Sequence, residues 1–146
     1  MGPIVCATRG GEAGRRTQER AIALAKERGA ELVFLCVFDP SLAGQLNDAL
    51  GAAVEMEQQW LGRALLGTAQ ARAQKEAVGT NAVVLIGPVL ETIEGFLRQV
   101  DASALIIGEP KTSSALAAFH PGKVHHFAER VRQNTGVDVL VVSPEE

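Results

Sequence analysis

Arg9, Lys111 and Lys123 lie in two glycine-containing segments, "TRGGEAGRR" (8–16) and "GEPKTSSALAAFHPGK" (108–123). Each segment follows a short apolar run and leads into an amphipathic stretch. Glycine at a strand exit lets a ligand approach the backbone closely. The first amides of a following helix are free and point toward an anion. The chemistry suited to such residues is the holding of a phosphate or another anion. Arg15 and Arg16 add charge, His120, His125 and His126 lie nearby, and Glu12 and Glu109 oppose them. Two cations beside a helix N-terminus are unfavourable unless an anion joins them. The alternative for Arg15 and Arg16 is a solvated helix surface.

Other chemistries fit these residues less well. "HPGKVHH" fails the G-x-x-x-x-G-K-[S/T] phosphate-loop pattern, because Ala117 replaces the glycine and Val124 the Ser or Thr. His125 and His126 are adjacent, so on a helix they point about 100° apart. His120 precedes a proline and no cysteine is close, so no metal site is expected. Thr112, Ser113 and Ser114 offer hydroxyls without a base at a recognised spacing, so no catalytic residue is assigned. Cys6 and Cys36 sit inside apolar runs and read as buried reduced thiols, with a redox pair as the alternative. Trp60 falls among leucines at helical spacing, which predicts packing rather than stacking on a base.

The elements that must position these residues follow from the hydrophobic pattern. Strands are predicted at 3–8, 31–38, 81–86, 103–107 and 137–142. Helices are predicted at 14–29, about 50–76, 90–100 and about 123–134. Leu50, Ala53, Val54, Trp60, Leu61, Ala64 and Leu65 mark the expected inner side of the second helix. Val124, Phe127, Ala128 and Val131 mark that of the last. Gly29 and Gly136 read as helix stops, and Ser41–Asn47 reads as a loop. Strict alternation of strand and helix implies an α/β fold, a doubly wound parallel sheet with helices on both faces. Ligands of such sheets sit outside the carboxyl ends of the strands, where the strand order reverses.

Composition sets the outer limits. The length of 146 residues predicts one domain, 1–146, large enough for a single core without disulfide or metal staples. The net charge of −3 argues against a general affinity for nucleic acid. No apolar run reaches the roughly 18 residues of a membrane span. The start "MGPIVCATRGG" lacks a signal-peptide pattern, and Cys6 breaks the myristoylation pattern. A cytoplasmic protein, without a membrane or nucleic-acid partner, is the expectation.

The chain resembles the universal stress protein family. "IVCATRGGEAGRRTQERAIALAKERGAELVFLCVFD" looks like that family's first strand, first helix and second strand. "IGPVLETIEGFLRQVDASALIIG" and "FAERVRQNTGVDVLVVSP" are similar to its later elements, so the resemblance spans nearly the whole chain. It implies a five-stranded parallel sheet of order 3-2-1-4-5, of the adenine nucleotide alpha hydrolase-like kind. It also implies a homodimer paired through the last strand, here Val137 to Val142. Many members bind ATP. In those, an Asp after strand 1 meets the adenosine, and a G-x-x-G-x9-G-[S/T] loop after strand 4 wraps the phosphates.

This sequence departs from that pattern. Arg9 stands at the Asp position. Gly108 matches the first glycine, but Lys111 replaces the second. Gly122 serves as the third only with one extra residue in the loop, and Lys123 replaces the Ser or Thr. Pro110 removes an amide donor. The crevice expected from the resemblance is lined by Thr8, Arg9, Gly10 and Val37 on one side. Gly108, Lys111, Gly122, Lys123 and Val124 line the other. The expectation is a non-catalytic regulatory or binding protein of the stress response, with a nucleotide site degenerate or retuned toward another anion. No cofactor is certain, and ATP or another phosphate-bearing anion is the candidate. The alternatives are a slow ATPase or phosphotransferase, with Glu12 or Glu109 holding a divalent metal, and a dimerisation scaffold with an empty crevice.

Overall fold

The computed structural model describes residues 2–8, 14–39, 48–109 and 123–143, leaving aside the side chains of 48–55 and 123. Strands and helices alternate in the order β1 (Ile4–Ala7), α1 (Arg15–Arg28), β2 (Leu32–Phe38), α2 (Asp48–Lys75), β3 (Thr80–Ile86), α3 (Val89–Val100), β4 (Ala104–Gly108), α4 (Lys123–Thr135) and β5 (Asp138–Val142). The strands form one parallel sheet of order β3-β2-β1-β4-β5. That is the expected order. Among the described residues, no helix is long and apolar enough to cross a membrane.

The short strand β1 lies at the centre. It pairs with β2 from Ile4↔Leu32 to Ala7↔Leu35, and with β4 from Ile4↔Ala104 to Ala7↔Ile107. Helices cover both faces of the sheet, so the central strands are apolar without alternation. Successive residues still divide between the faces. Ile4, Cys6, Phe34, Cys36 and Ile106 pack with Ala21, Ile22 and Ala25 of α1 and with Leu66, Ala69 and Ala73 of α2. Val5, Leu35, Leu105 and Ile107 pack with α3 and α4 through Ile93, Leu97, Phe127 and Val131. Gly29 closes α1 at φ 63° and Gly136 follows α4 at φ 73°. Both adopt the left-handed conformation that favours glycine at a helix end.

Helix α2 presents a different face from the one its periodicity predicts. Trp60 is 75% exposed and Met56 74%, and Leu61 and Ala64 are also exposed. The buried side carries Gly62, Leu66, Ala69 and Ala73. Gly62 is the physical reason. A Cβ there would stand 2.9 Å from Val84 and 3.1 Å from Phe38, so the bare backbone sets the contact with β2 and β3. A pattern search for large apolar residues gives no weight to a glycine. Trp60 therefore does not pack in the core as its spacing suggests.

The open edge of β5 is partly covered. The Val142 carbonyl accepts from Glu109 N–H at 2.9 Å, so it faces β4. Backbone alternation then directs the groups of Val139 and Val141 to the open side of β5. Arg132 of α4 donates to the Val139 carbonyl at 2.6 Å, and Thr135 Oγ1 accepts from Val137 N–H at 3.1 Å. The first half of that edge is thus covered by side chains from the helix before it.

Both cysteines are free and buried. Burial holds the Cys6 thiol far above its ordinary value of 9.0. Above that pH the unfolded chain ionises this thiol while the folded chain keeps it protonated. Stability then falls as pH rises, by up to about 1.4 kcal/mol per unit. Denaturant titrations at about pH 8 and about pH 10 are expected to show the loss, and Cys6→Ala is expected to lessen it. Equal losses in both proteins would refute this account of the thiol.

Candidate functional site

The sheet order reverses between β1 and β4, which places the candidate crevice at their carboxyl ends. Thr8 leaves β1 there, its N–H donating to the Leu35 carbonyl at 2.9 Å. Gly108 ends β4 beside it. Two consecutive residues from the first turn of α1 reach both exits. Thr17 is buried against Gly108, and its hydroxyl occupies the space that a Cβ on Gly108 would need. Gln18 is fully buried, and its amide donates to the Thr8 hydroxyl at 3.4 Å.

The other end of Gln18 is tied to α2. Arg72 Nη1 donates to Gln18 Oε1 at 2.5 Å. Charge assistance makes this the stronger of the two bonds. A polar chain therefore runs from α2 through the core to the hydroxyl at the crevice. Sequence reasoning missed Thr17, Gln18 and Arg72. The available signal was Gln18 four residues before Ile22, a polar residue on the buried side of α1.

The start of α1 is the positive end of that helix's dipole. Gly14 stands at the N-cap without a side-chain cap, and the first turn holds no acidic residue. Free N–H groups there favour negative charge. Arg15 and Arg16 are exposed, and Arg15 pairs with Glu19 along the helix at 3.7 Å. On the β4 side, Glu109 approaches His125 Nε2 at 3.5 Å. This links the strand exit to the first turn of α4.

The predicted crevice residues take different places. Thr8 and Gly108 meet at the two strand exits, both held by α1. Val37 is half-buried in β2 and packs on the α3–α4 side of the sheet. Val124 is fully buried in that same layer. Arg9, Gly10, Lys111 and Gly122 lie outside the described residues, as do Glu12, Thr112, Ser113, Ser114 and His120. Lys123 begins α4, and its side chain is outside the description.

The described residues hold only part of the candidate crevice. They supply the Thr8 hydroxyl, the N–H groups of α1 and one glycine. The side of that glycine on which a Cβ would stand is filled by Thr17. Among the described residues no group of three or more His, Cys, Asp or Glu could hold a metal ion.

The family model described as "Universal stress protein family" matches residues 1–143. A solved protein of that family from Burkholderia pseudomallei is 23% identical, with a TM-score of 0.70, covering 97% of this chain and 96% of its own. A universal stress protein in complex with cAMP is 20% identical, with a TM-score of 0.67 and coverage of 99% and 98%. The one from Archaeoglobus fulgidus in complex with dAMP is 18% identical, with a TM-score of 0.62 and coverage of 99% and 98%. At these identities the likeness establishes the fold. No curated protein matches the chain.

Proposed function

Because the chain belongs to the universal stress protein family, we propose that it is a cytoplasmic, non-catalytic regulatory protein of the stress response. Its crevice takes a phosphate-bearing or other small anion in place of ATP bound in the family manner. The observation that carries this reading is the contact at Gly108. The one glycine that matches the family loop directly is held by Thr17 from within the protein, so its retention needs no nucleotide. Arg9 and Lys111 replace the acid and the second glycine, and the uncapped start of α1 supplies donors for negative charge. Two similar proteins are described in complex with cAMP and dAMP, ligands with a single phosphate group, in keeping with a small anionic ligand. The active form is a homodimer paired through the open half of β5, around Val141.

Thermal unfolding against phosphate, AMP, cAMP, ADP and ATP with magnesium tests this reading. A ligand at tenfold excess over its Kd stabilises the fold by about 1.4 kcal/mol. The expected result is a rise in Tm with phosphate or a monophosphate that is lost in Arg9→Ala and Lys111→Ala. A larger rise with ATP and magnesium alone would favour a conventional ATP site. No rise with any of them would favour an empty scaffold.

A further inference from the structure

The outward side of α2 carries an exposed stripe of apolar and small residues. Met56 and Trp60 are 74% and 75% exposed. At about 100° per residue, positions 56, 60, 64, 67 and 71 fall within about 80° of one another, opposite the buried side. Ala64, Gly67 and Ala71 complete that stripe, and all three are exposed. A Cβ at Gly67 would meet nothing within 4 Å, so the space above it is open. Two large apolar groups thus occupy one half of the stripe, and small residues with open space the other half.

The stripe is self-complementary. It is symmetric about the bond between residues 63 and 64, so 56 mirrors 71 and 60 mirrors 67. An antiparallel copy related by a two-fold axis at that point sets Trp60 over Gly67 and Met56 over Ala71, twice. A two-fold interface requires this reciprocity, and small residues let two helix axes approach closely. Charge agrees with the same orientation. Exposed Glu57 and Lys75 lie on one flank of the stripe, toward opposite ends. Antiparallel pairing brings each acid to the side of the partner's base. Arg63, on the other flank, lies beside the axis and meets its own copy.

We infer that two copies pair through α2, with Trp60 as the anchor. This surface is separate from the proposed pairing through β5. Helix α2 packs over β2 and β3, at the other side of the sheet, so a dimer through β5 alone keeps the two copies of residue 64 apart.

The experiment introduces Ala64→Cys beside the axis. The native thiols are buried, so the new cysteine is the reactive one. Mild oxidation is expected to give a disulfide-linked dimer in high yield, and Lys75→Cys much less. Adding Trp60→Glu to Ala64→Cys is expected to abolish the link. Gly67→Glu fills the recess without meeting a neighbour in its own chain and keeps the tryptophan. Trp60 is the single tryptophan and there is no tyrosine, so intrinsic fluorescence reports this surface alone. Emission is expected to move to shorter wavelength as concentration rises, in the native chain and not in Gly67→Glu. Arg63→Gln is expected to move that transition to lower concentration. Equal cross-linking at 64 and 75, a link that survives Trp60→Glu, or emission independent of concentration would overturn the inference. An emission shift seen only on adding anionic phospholipid vesicles would assign the stripe to a lipid surface and also overturn it.

Discussion

Gly108→Ala is expected to destabilise the protein by about 3 kcal/mol, the upper end of the usual range for overpacking a filled interior. The added methyl collides with the hydroxyl of Thr17. Thr17 is itself buried, on a helix whose next residue is anchored to β1 and α2, so α1 has little freedom to withdraw. For a chain of this size the loss corresponds to a fall in Tm of about 6–12 °C. Denaturant titration with an unchanged m-value would measure it. Thr17→Ala in the same chain is expected to recover most of the loss, because it removes the colliding atom. The double variant separates two accounts of this glycine. If packing alone requires Gly108, the double variant is stable and keeps its response to anions. If a ligand needs the bare backbone, stability returns and the response does not.

Gln18→Leu is expected to cost a similar amount, about 3 kcal/mol. The substitution takes away the carbonyl to which the Arg72 guanidinium donates and the amide that donates to Thr8. A hydrogen bond to a charged group contributes about 1.5–3 kcal/mol, and the bond to Thr8 adds a smaller share. Combining Gln18→Leu with Arg72→Met is expected to cost clearly less than the two single losses together, since the charge and its partner leave at once. A double-mutant cycle measures that coupling. Strict additivity would show that the two side chains do not act as a pair. Because the polar chain reaches the Thr8 hydroxyl, Gln18→Leu is also expected to weaken the anion response without abolishing it.

Much of this architecture was legible because it repeats. The apolar runs of β1, β2 and β4 and the inner face of α4 announce themselves by continuity or by period. Gly29 and Gly136 close helices where a left-handed residue was needed. Features that rest on one residue or on distant pairs were harder to see. Gly62 turns α2 by its lack of a side chain, which no hydrophobic period records. Gln18 and Arg72 are far apart in the chain and meet only once α1 and α2 lie side by side on the sheet. Val124 is instructive in another way. The resemblance placed it in the crevice, whereas its own spacing with Phe127, Ala128 and Val131 places it in the core, and the structure finds it fully buried. The sequence reads Gly108 as the first glycine of a ligand loop, because nothing in the local sequence shows that Thr17 arrives against it.

The position of β1 has a consequence for synthesis. Of the five strands of this sheet, the earliest in the chain is the central one, and it needs neighbours on both sides. Its pairing with β2 spans about thirty residues, but its pairing with β4 spans one hundred, from Ile4 to Ala104. A nascent chain can therefore assemble β1, β2 and β3 under α1 and α2, while one edge of β1 and the whole α3–α4 face stay bare. Val5, Leu35 and the unpaired backbone of β1 wait in that state until β4 leaves the ribosome. Translation at about 5–20 residues per second makes the wait from Ile86 to Gly108 about 1–4 s, long compared with local helix formation. An interior face of the native molecule is thus, during its own manufacture, a surface that calls for a chaperone.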